Sequence, residues 1–454
     1  MDVIKHTHYY FIGIGGIGMS ALARYLHHNG KTVAGYDKTA TSLCKELEKE
    51  GVQIHYNDDF ESIPAVFKDV ETACVIYTPA IPVDFGELLR FRESKITLKK
   101  RAQLLGDISK TMTCLAVAGT HGKTTTSAIL AHLLYKSNVK VTAFLGGILN
   151  TYNTNYLCTG TDVMVVEADE FDRSFMNLSP DIAGITSIDA DHLDIYGDEK
   201  EFRKTFEDFA RLVPYGNLLI NEHVDLHGRL IGLEQGEYQA TDIQIKDGAY
   251  EFTLKTPVVI EAGWMLKLPG RHNLSNAMLA IAMALENGAS SALIKSALVT
   301  FPGVDRRFTY RIDTKELVLI DDYAHHPTEI NAVYSAVREM YPDQEITAVF
   351  QPHLYSRTRD FEDEFVKSLA RFDDLALLDI YPARELPIEG VSSQVLVEKI
   401  NDITSRSNKA IVISKDQILS YLQNRKTRVV LMIGAGDIGV EIHKIVSHLK
   451  QEQL

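Results

Sequence analysis

The chain has 454 residues, 45% apolar and 24% charged, with 61 acidic against 47 basic side chains and a formal charge of −14. At roughly 100–200 residues per domain this length predicts two to four domains, and the acidic balance argues against nucleic acid as a partner, because phosphate backbones are held by clustered Lys and Arg. Four scattered cysteines (Cys44, Cys74, Cys114 and Cys158) with no C-x-x-C pair argue against a disulfide framework or a thiolate metal site.

Short β-rich apolar runs alternate with amphipathic stretches, the α/β pattern of parallel sheets. The first block opens with a strand over 9–14 that runs into Gly13-Ile14-Gly15-Gly16-Ile17-Gly18 and then a helix. Further strands are predicted over 32–36 and 73–77, and the block ends near Asp107. The glycines interrupt the apolar stretch over 9–23, and no run reaches the ~18 apolar residues of a membrane span. A cytoplasmic protein without membrane insertion is expected. The glycine run fits G-x-G-x-x-G, and Asp37 closes the next strand, so Gly15, Gly16, Ile17, Gly18 and Asp37 form a candidate Rossmann nucleotide site. A dinucleotide and a UDP-sugar both carry a diphosphate, and the motif does not choose between them.

The second block opens with a strand over 114–118, followed by Gly119-Thr120-His121-Gly122-Lys123-Thr124-Thr125-Thr126 and a helix from Lys123 to about Ser137. Glycines let the backbone approach phosphate oxygens, and N–H groups at a helix start point at the anion. Lys123 supplies a cation for the outer phosphates and Thr124 a hydroxyl for Mg²⁺. The usual phosphate loop has a glycine two positions earlier, where this chain has Val117. Strands over 163–166 and 182–188 end in Glu167-Ala168-Asp169-Glu170 and Asp189-Ala190-Asp191-His192. Ligands collect beyond the carboxyl ends of parallel strands, which makes Glu167 and His192 candidate metal ligands. On the residues alone His192 reads more readily as structural, and Asp169 and Glu170 fit helix caps as well as ligands. A β-like polar stretch over 238–268 follows, and the block ends near Asp305.

Strands over 317–320, 347–350, 376–379 and 429–433 are predicted in the third block. Asp321-Asp322-Tyr323-Ala324-His325-His326-Pro327 follows the first, with Pro327 suited to the first turn of a helix. Gln351-Pro352-His353-Leu354-Tyr355-Ser356-Arg357 follows the second. Two loops rich in Asp, His and Arg at strand ends point to a small polar substrate. Gly434-Ala435-Gly436-Asp437-Ile438-Gly439 repeats the glycine fingerprint, but only 15 residues follow it. That copy reads as a strand–helix turn.

Residues 13–18, 119–126, 167–169, 189–194, 270–276, 306–308, 321–329 and 350–360, taken in order, resemble the Mur ligases over essentially the whole chain. The resemblance implies an α/β fold of three domains. They are a Rossmann-like N-terminal domain for a UDP-substrate (1–107), a central P-loop ATPase-like domain (108–305) and a Rossmann-like C-terminal domain for an amino acid (306–454). It implies an ATP site of Gly119, Thr120, Gly122, Lys123, Thr124, Thr125, Asn273, Asn276, Arg307 and Asp322, with Asn276 facing the adenine. It also implies two Mg²⁺ ions, one on Thr124 and Glu167 and one on His192. Tyr323, His325, His353 and Arg357 would surround the amino acid, and Lys123, Asp322, His325 and Arg307 would serve catalysis. The segments 321–328 and 350–353 imply UDP-N-acetylmuramate and L-alanine as the pair joined with ATP, in peptidoglycan precursor synthesis.

Leu354 stands where the family often has Arg, and Phe171 also departs from the pattern. The carbamylated lysine of related ligases has no clear equivalent. Three alternatives remain: joining of a recycled peptide in place of alanine, a nucleotide-binding switch, and a nicotinamide-dependent oxidoreductase built on Gly13–Gly18. The last leaves the loop at 119–126 without a purpose. A monomer or weak homodimer is expected.

Overall fold

The computed structural model describes residues 4–189, 198–383, 385–404, 409–425 and 427–452. Strands β1 (His8–Ile12), β2 (Thr32–Tyr36), β3 (Gln53–His55), β4 (Ala73–Tyr77) and β5 (Thr97–Lys100) form a parallel sheet in the order β3-β2-β1-β4-β5. β1 and β4 are almost wholly apolar and buried because both sheet faces are covered. The strand order reverses at β1, so the loops after β1 and β4 flank a ligand crevice. β1 stops two residues short of its expected end. The N–H groups of Gly13 and Ile14 both turn to the Tyr36 carbonyl (2.8 and 3.0 Å), which peels the glycine loop off the strand.

The second sheet contains β6 (Thr113–Ala118), β7 (Val141–Leu149), β8 (Thr154–Cys158), β9 (Val163–Glu167), β10 (Ile182–Ile185), β11 (Leu218–Asn221), β12 (Arg229–Gly232), β13 (Tyr238–Lys246), β14 (Ala249–Lys255) and β15 (Ile260–Leu266). Their order is β15-β14-β13-β12-β11-β10-β6-β9-β7-β8. β6 is therefore flanked by β10 and β9, the two strands that end in acidic segments, and all three run parallel. The β13–β14 hairpin turns through Asp247 and Gly248, both with positive φ (51° and 74°), which matches the right-handed twist of its strands. β10 is shorter than the expected 182–188 because Thr186 and Ser187 leave the ladder to serve the loop after β6.

β16 (Thr309–Asp313), β17 (Val318–Asp322), β18 (Ile346–Phe350), β19 (Asp374–Leu377), β20 (Ile411–Val412) and β21 (Val429–Ile433) form the third sheet, ordered β16-β17-β21-β18-β19-β20. Only β16 runs antiparallel to its neighbour. The first sheet and most of the second form one compact unit, reaching Gln244 and taking in Glu251–Leu266 and Ser275–Pro302. The third sheet, with Ile245–Tyr250 and Lys267–Leu274, forms the other from Gly303 onward. In the first unit the two sheets share one apolar cluster, in which the Tyr25 ring of the helix Ile17–His28 meets Phe144 of β7 at 5.4 Å. No helix among the described residues is long and apolar enough to cross a membrane.

Candidate active site

β6 feeds a four-residue loop into the helix Lys123–Lys136. Val117 lies inside the strand, paired with Gly184 on one side and Glu167 on the other. The loop therefore starts only at Gly119, which explains the missing earlier glycine. Gly119 (φ +133°) and Gly122 (φ +83°) take left-handed conformations, and neither has room for a side chain. A Cβ on Gly119 would lie 2.0 Å from Thr186 Oγ1, and one on Gly122 would lie 2.4 Å from Asn276 Oδ1. The end of β10 props the loop from below. Thr120 N–H donates to the Ser187 carbonyl (3.1 Å), and His121 N–H to Ser187 Oγ (3.0 Å). Thr120 Oγ1 accepts from Asp189 N–H at 2.7 Å. Thr125 is buried in the first turn of the helix.

Lys123 folds back over this loop. Its ammonium donates to the Gly119 carbonyl (2.5 Å) and lies 2.7 Å from Glu170 Oε2 and 2.9 Å from Oε1. Burial alone would lower the Lys123 pKa, but Glu170, Glu167 and Asp169 outweigh it and hold the group above the ordinary lysine value. Burial pushes Glu170 up to about 7 against the pull of Lys123, with Asp169 adding to the rise. With three carboxylates around one ammonium, the ammonium stays charged, while burial, with Asp169 adding to it, lifts Glu170. Thr124 donates its hydroxyl to Glu167 (2.9 Å to Oε2), and Glu167 Oε2 also accepts Gly146 N–H at 3.1 Å.

These oxygens test the fit for magnesium. Thr124 and Glu167 are hard donors side by side at the end of β9 and the start of a helix, a set that suits Mg²⁺ with water completing its shell. Among the described residues no cluster of three His, Cys, Asp or Glu forms a ready-made cage. His192, expected to hold a second ion, lies outside the described residues. Asp169 accepts Phe171 N–H (3.1 Å), which starts a short 3₁₀ segment, and pairs with Arg101. Of the two acids left open between cap and ligand, Asp169 caps, whereas Glu170 is the partner of Lys123.

In the first sheet, Asp37 Oδ2 accepts Gly15 N–H at 2.8 Å, so the glycine loop and the acid of the next strand meet. A side chain on Gly15 would collide with Cys44, Asp37 and Thr41. Gly16 caps the helix Ile17–His28, with Gly16 and Ile17 exposed and Gly18 in the first turn. Asn276 sits against Gly122. Asn273 instead donates its amide to the Pro269 carbonyl at 2.6 Å, bracing the start of its own helix.

The third sheet gathers its own constellation. Asp322 ends β17, and its carboxylate is occupied by the backbone. Oδ2 accepts Phe308 N–H and Oδ1 accepts Ala324 N–H, both at 2.7 Å. Burial pushes Asp322 up to about 6, against the pull of Arg307 and these two donors. It thus clamps the segment in which Arg306 and Phe308 both have positive φ (57° and 48°). The guanidinium groups of Arg306 and Arg307 lie over the Tyr323 ring at 5.2 and 5.1 Å. Arg307 also lies 3.9 Å from Glu329, whose carboxylate accepts His325 N–H at 2.9 Å. Pro327 occupies the first turn of the helix Pro327–Met340.

His325 Nδ1 is 2.9 Å from the Tyr323 carbonyl, which assigns the proton to Nδ1 and leaves Nε2 as an acceptor. Burial lowers the His325 pKa, opposed by Glu329 and reinforced by Arg357. His353 meets His325 at 5.8 Å and stacks on Tyr381 at 5.6 Å. Leu354, the departure noted in the sequence, has φ +72° and caps the helix Tyr355–Asp360 that carries the buried Arg357. Tyr323, His325, His353 and Arg357 therefore converge, joined by Tyr381, which nothing in the sequence singled out. The Gly434–Gly439 turn is built around Gln351. Gln351 Oε1 accepts Ile438 N–H at 2.9 Å, and its amide donates to Asp437 at 2.8 Å.

Comparison with known proteins covers the whole chain. Residues 8–113 match the model of the Mur ligase family catalytic domain, residues 117–284 the Mur ligase middle domain, and residues 306–436 the Mur ligase glutamate ligase domain. The UDP-N-acetylmuramate–L-alanine ligase of Christiangramia forsetii is 51% identical over 454 residues, covering 99% of both chains. The protein of that name from Flavobacterium psychrophilum is 50% identical over the full length of both. The crystal structure of the UDP-N-acetylmuramate–alanine ligase of Thermotoga maritima superposes with a TM-score of 0.83 at 27% identity, covering 98% of this chain and 100% of the other. A murein peptide ligase from Psychrobacter arcticus shares the fold at a TM-score of 0.67 and 21% identity.

Proposed function

The chain belongs to the Mur ligase family, and from that premise we propose that it joins L-alanine to the carboxylate of UDP-N-acetylmuramate at the expense of ATP, in cytoplasmic peptidoglycan precursor synthesis. The loop at Gly119–Lys123, with Thr124 and Glu167 beside it, carries the ATP-dependent part of this reading. The full-length likeness at half identity supports alanine over a recycled peptide as the amine. Residues 1–107 take the UDP-sugar, 108–305 the ATP and 306–454 the amino acid.

A carboxylate resists an amine because oxide is a poor leaving group. A carboxylate oxygen first attacks the γ-phosphorus of ATP, and the bond to the ADP oxygen breaks. The alanine nitrogen then attacks the acyl carbon, and phosphate leaves with both bonding electrons. Lys123, the Gly119–Gly122 backbone and the helix start position and neutralise the transferring group. Thr124 and Glu167 would hold a Mg²⁺ ion, which when bound adds to that neutralisation. A second ion on His192 rests on the family resemblance.

The amine must lose a proton before it attacks. His325, whose pKa is lowered by burial and whose Nε2 takes no part in the Tyr323 hydrogen bond, is the group suited to take it. Arg357 meets the amino-acid carboxylate. Oxygen-18 placed in the muramyl carboxylate tests the intermediate. The label appears in the released phosphate if an acyl phosphate forms, and its absence there rules that route out.

A further inference from the structure

Arg101 belongs to neither motif, yet it joins them. It starts the helix Arg101–Ser109 directly after β5. One side of its guanidinium faces the glycine loop, where a Cβ built on Gly18 would lie 2.9 Å from Nη1 and 3.5 Å from Cζ. The other side donates through Nη2 to Asp169 Oδ2 at 3.2 Å, in the segment that carries Glu167 and Glu170. Gly18 has no side chain because the guanidinium fills that space.

The electrostatics around Gly18 are unbalanced. The helix Ile17–His28 has no acidic residue in its first turn, and its positive dipole end already favours an anion. The Arg101 cation placed there is unfavourable unless negative charge stands beside it. Asp169 supplies part of it from the far side. Gly16 and Ile17, just before Gly18 at the helix start, are exposed, the position a glycine loop gives to a diphosphate. The neighbouring Lys100 makes a separate contact, with Nζ 2.9 Å from Asp172 Oδ2. Asp172 and Arg173 both hold positive φ (51° and 53°). Lys100 therefore braces the turn after Glu170.

We propose that the Arg101 guanidinium is a diphosphate-binding group of the UDP-sugar site, aimed by Asp169, so that the UDP-substrate is felt at the segment bearing Glu167 and Glu170. The proposal rests on the substrate reading given above. A planar guanidinium gives two fixed donor edges, one for Asp169 and one for a phosphate oxygen, which an ammonium cannot match.

The test is calorimetric titration of UDP-N-acetylmuramate into the full-length protein without ATP. Arg101→Ala should weaken binding roughly tenfold to a hundredfold, the range for a charge-assisted hydrogen bond. Arg101→Lys should fall between Arg101→Ala and the parent chain. Lys100→Ala, which breaks only the brace to Asp172, should bind within about threefold of the parent, as expected of an exposed pair. Parent-like affinity in Arg101→Ala overturns the proposal, and so does a loss in Lys100→Ala as large as in Arg101→Ala. A parent chain that does not bind the UDP-sugar overturns the substrate reading itself. One that binds it equally with and without Arg101 overturns only the assignment of Arg101.

Discussion

Lys123 Nζ lies 2.7 Å from Glu170 Oε2, and both side chains are nearly inaccessible, at 12% and 2% exposure. The phosphate-loop cation is thus held in place by a carboxylate before any nucleotide arrives. Glu170→Gln should lower the thermal midpoint, because it removes the nearest countercharge of a buried ammonium, but by less than the ~3–5 kcal/mol of an isolated buried pair, since Glu167 and Asp169 still face Lys123 and burial already favours the neutral form of Glu170. Mg-ATP should recover more of that loss than it adds to the parent chain, since phosphate restores the missing charge. Thermal unfolding of both proteins with and without Mg-ATP reads this directly, and equal shifts would refute it.

Gly122→Ala should abolish tight ATP binding. The substitution forces a left-handed alanine, at about 1–2 kcal/mol, and sets a methyl against the Asn276 carboxamide. Gly122→Ala combined with Asn276→Ala relieves the second cost and not the first. The double variant should regain part of the thermal midpoint lost by the single one, without regaining its ATP affinity, because Asn276 is itself expected at the ATP site.

Arg357 is buried in the helix after Leu354, whereas Arg359 is exposed and paired with Asp360. With Leu354 contributing no charge, Arg357 is the guanidinium proposed above for the amino-acid carboxylate. Arg357→Ala should raise the KM for L-alanine roughly tenfold to a hundredfold and leave the KM for ATP within about threefold. Equal changes in both constants would point to a general loss of structure.

His132 is buried beside the Ala297 carbonyl, and burial lowers its pKa to about 4 from an ordinary 6.5. The unfolded chain takes up a proton between those values and the folded one does not. Stability is therefore complete above pH 6.5 and declines as pH falls toward 4, by about 3 kcal/mol for this group. His132→Gln should flatten that part of the stability–pH curve, as measured by denaturant unfolding across the window.

Much of this site was legible because its chemistry is local. Gly119, Gly122 and Lys123 read as a phosphate loop from strand, turn and helix signals in one stretch, and Pro327 marked a helix start by its fixed φ. The partnership of Glu170 with Lys123 was not legible. It depends on β9 lying beside β6, a pairing between residues about fifty positions apart. The same holds for Arg101, which reaches Gly18 and Asp169 from a third segment, and for Tyr381, which follows β19 and meets His353 after β18. Asp322 was legible as an acid expected to serve ATP, but the hold its oxygens keep on the Phe308 and Ala324 backbone was not. An acid at a strand end carries no sequence mark that separates those two uses.

Phosphate release from ATP tests the central claim most directly. With UDP-N-acetylmuramate present, steady release should require L-alanine. A tripeptide that begins with L-alanine should not replace it, and Lys123→Ala should lower the rate by about a hundredfold or more with an unchanged circular dichroism spectrum. Release that runs equally well without L-alanine, or that prefers the tripeptide, would contradict the account.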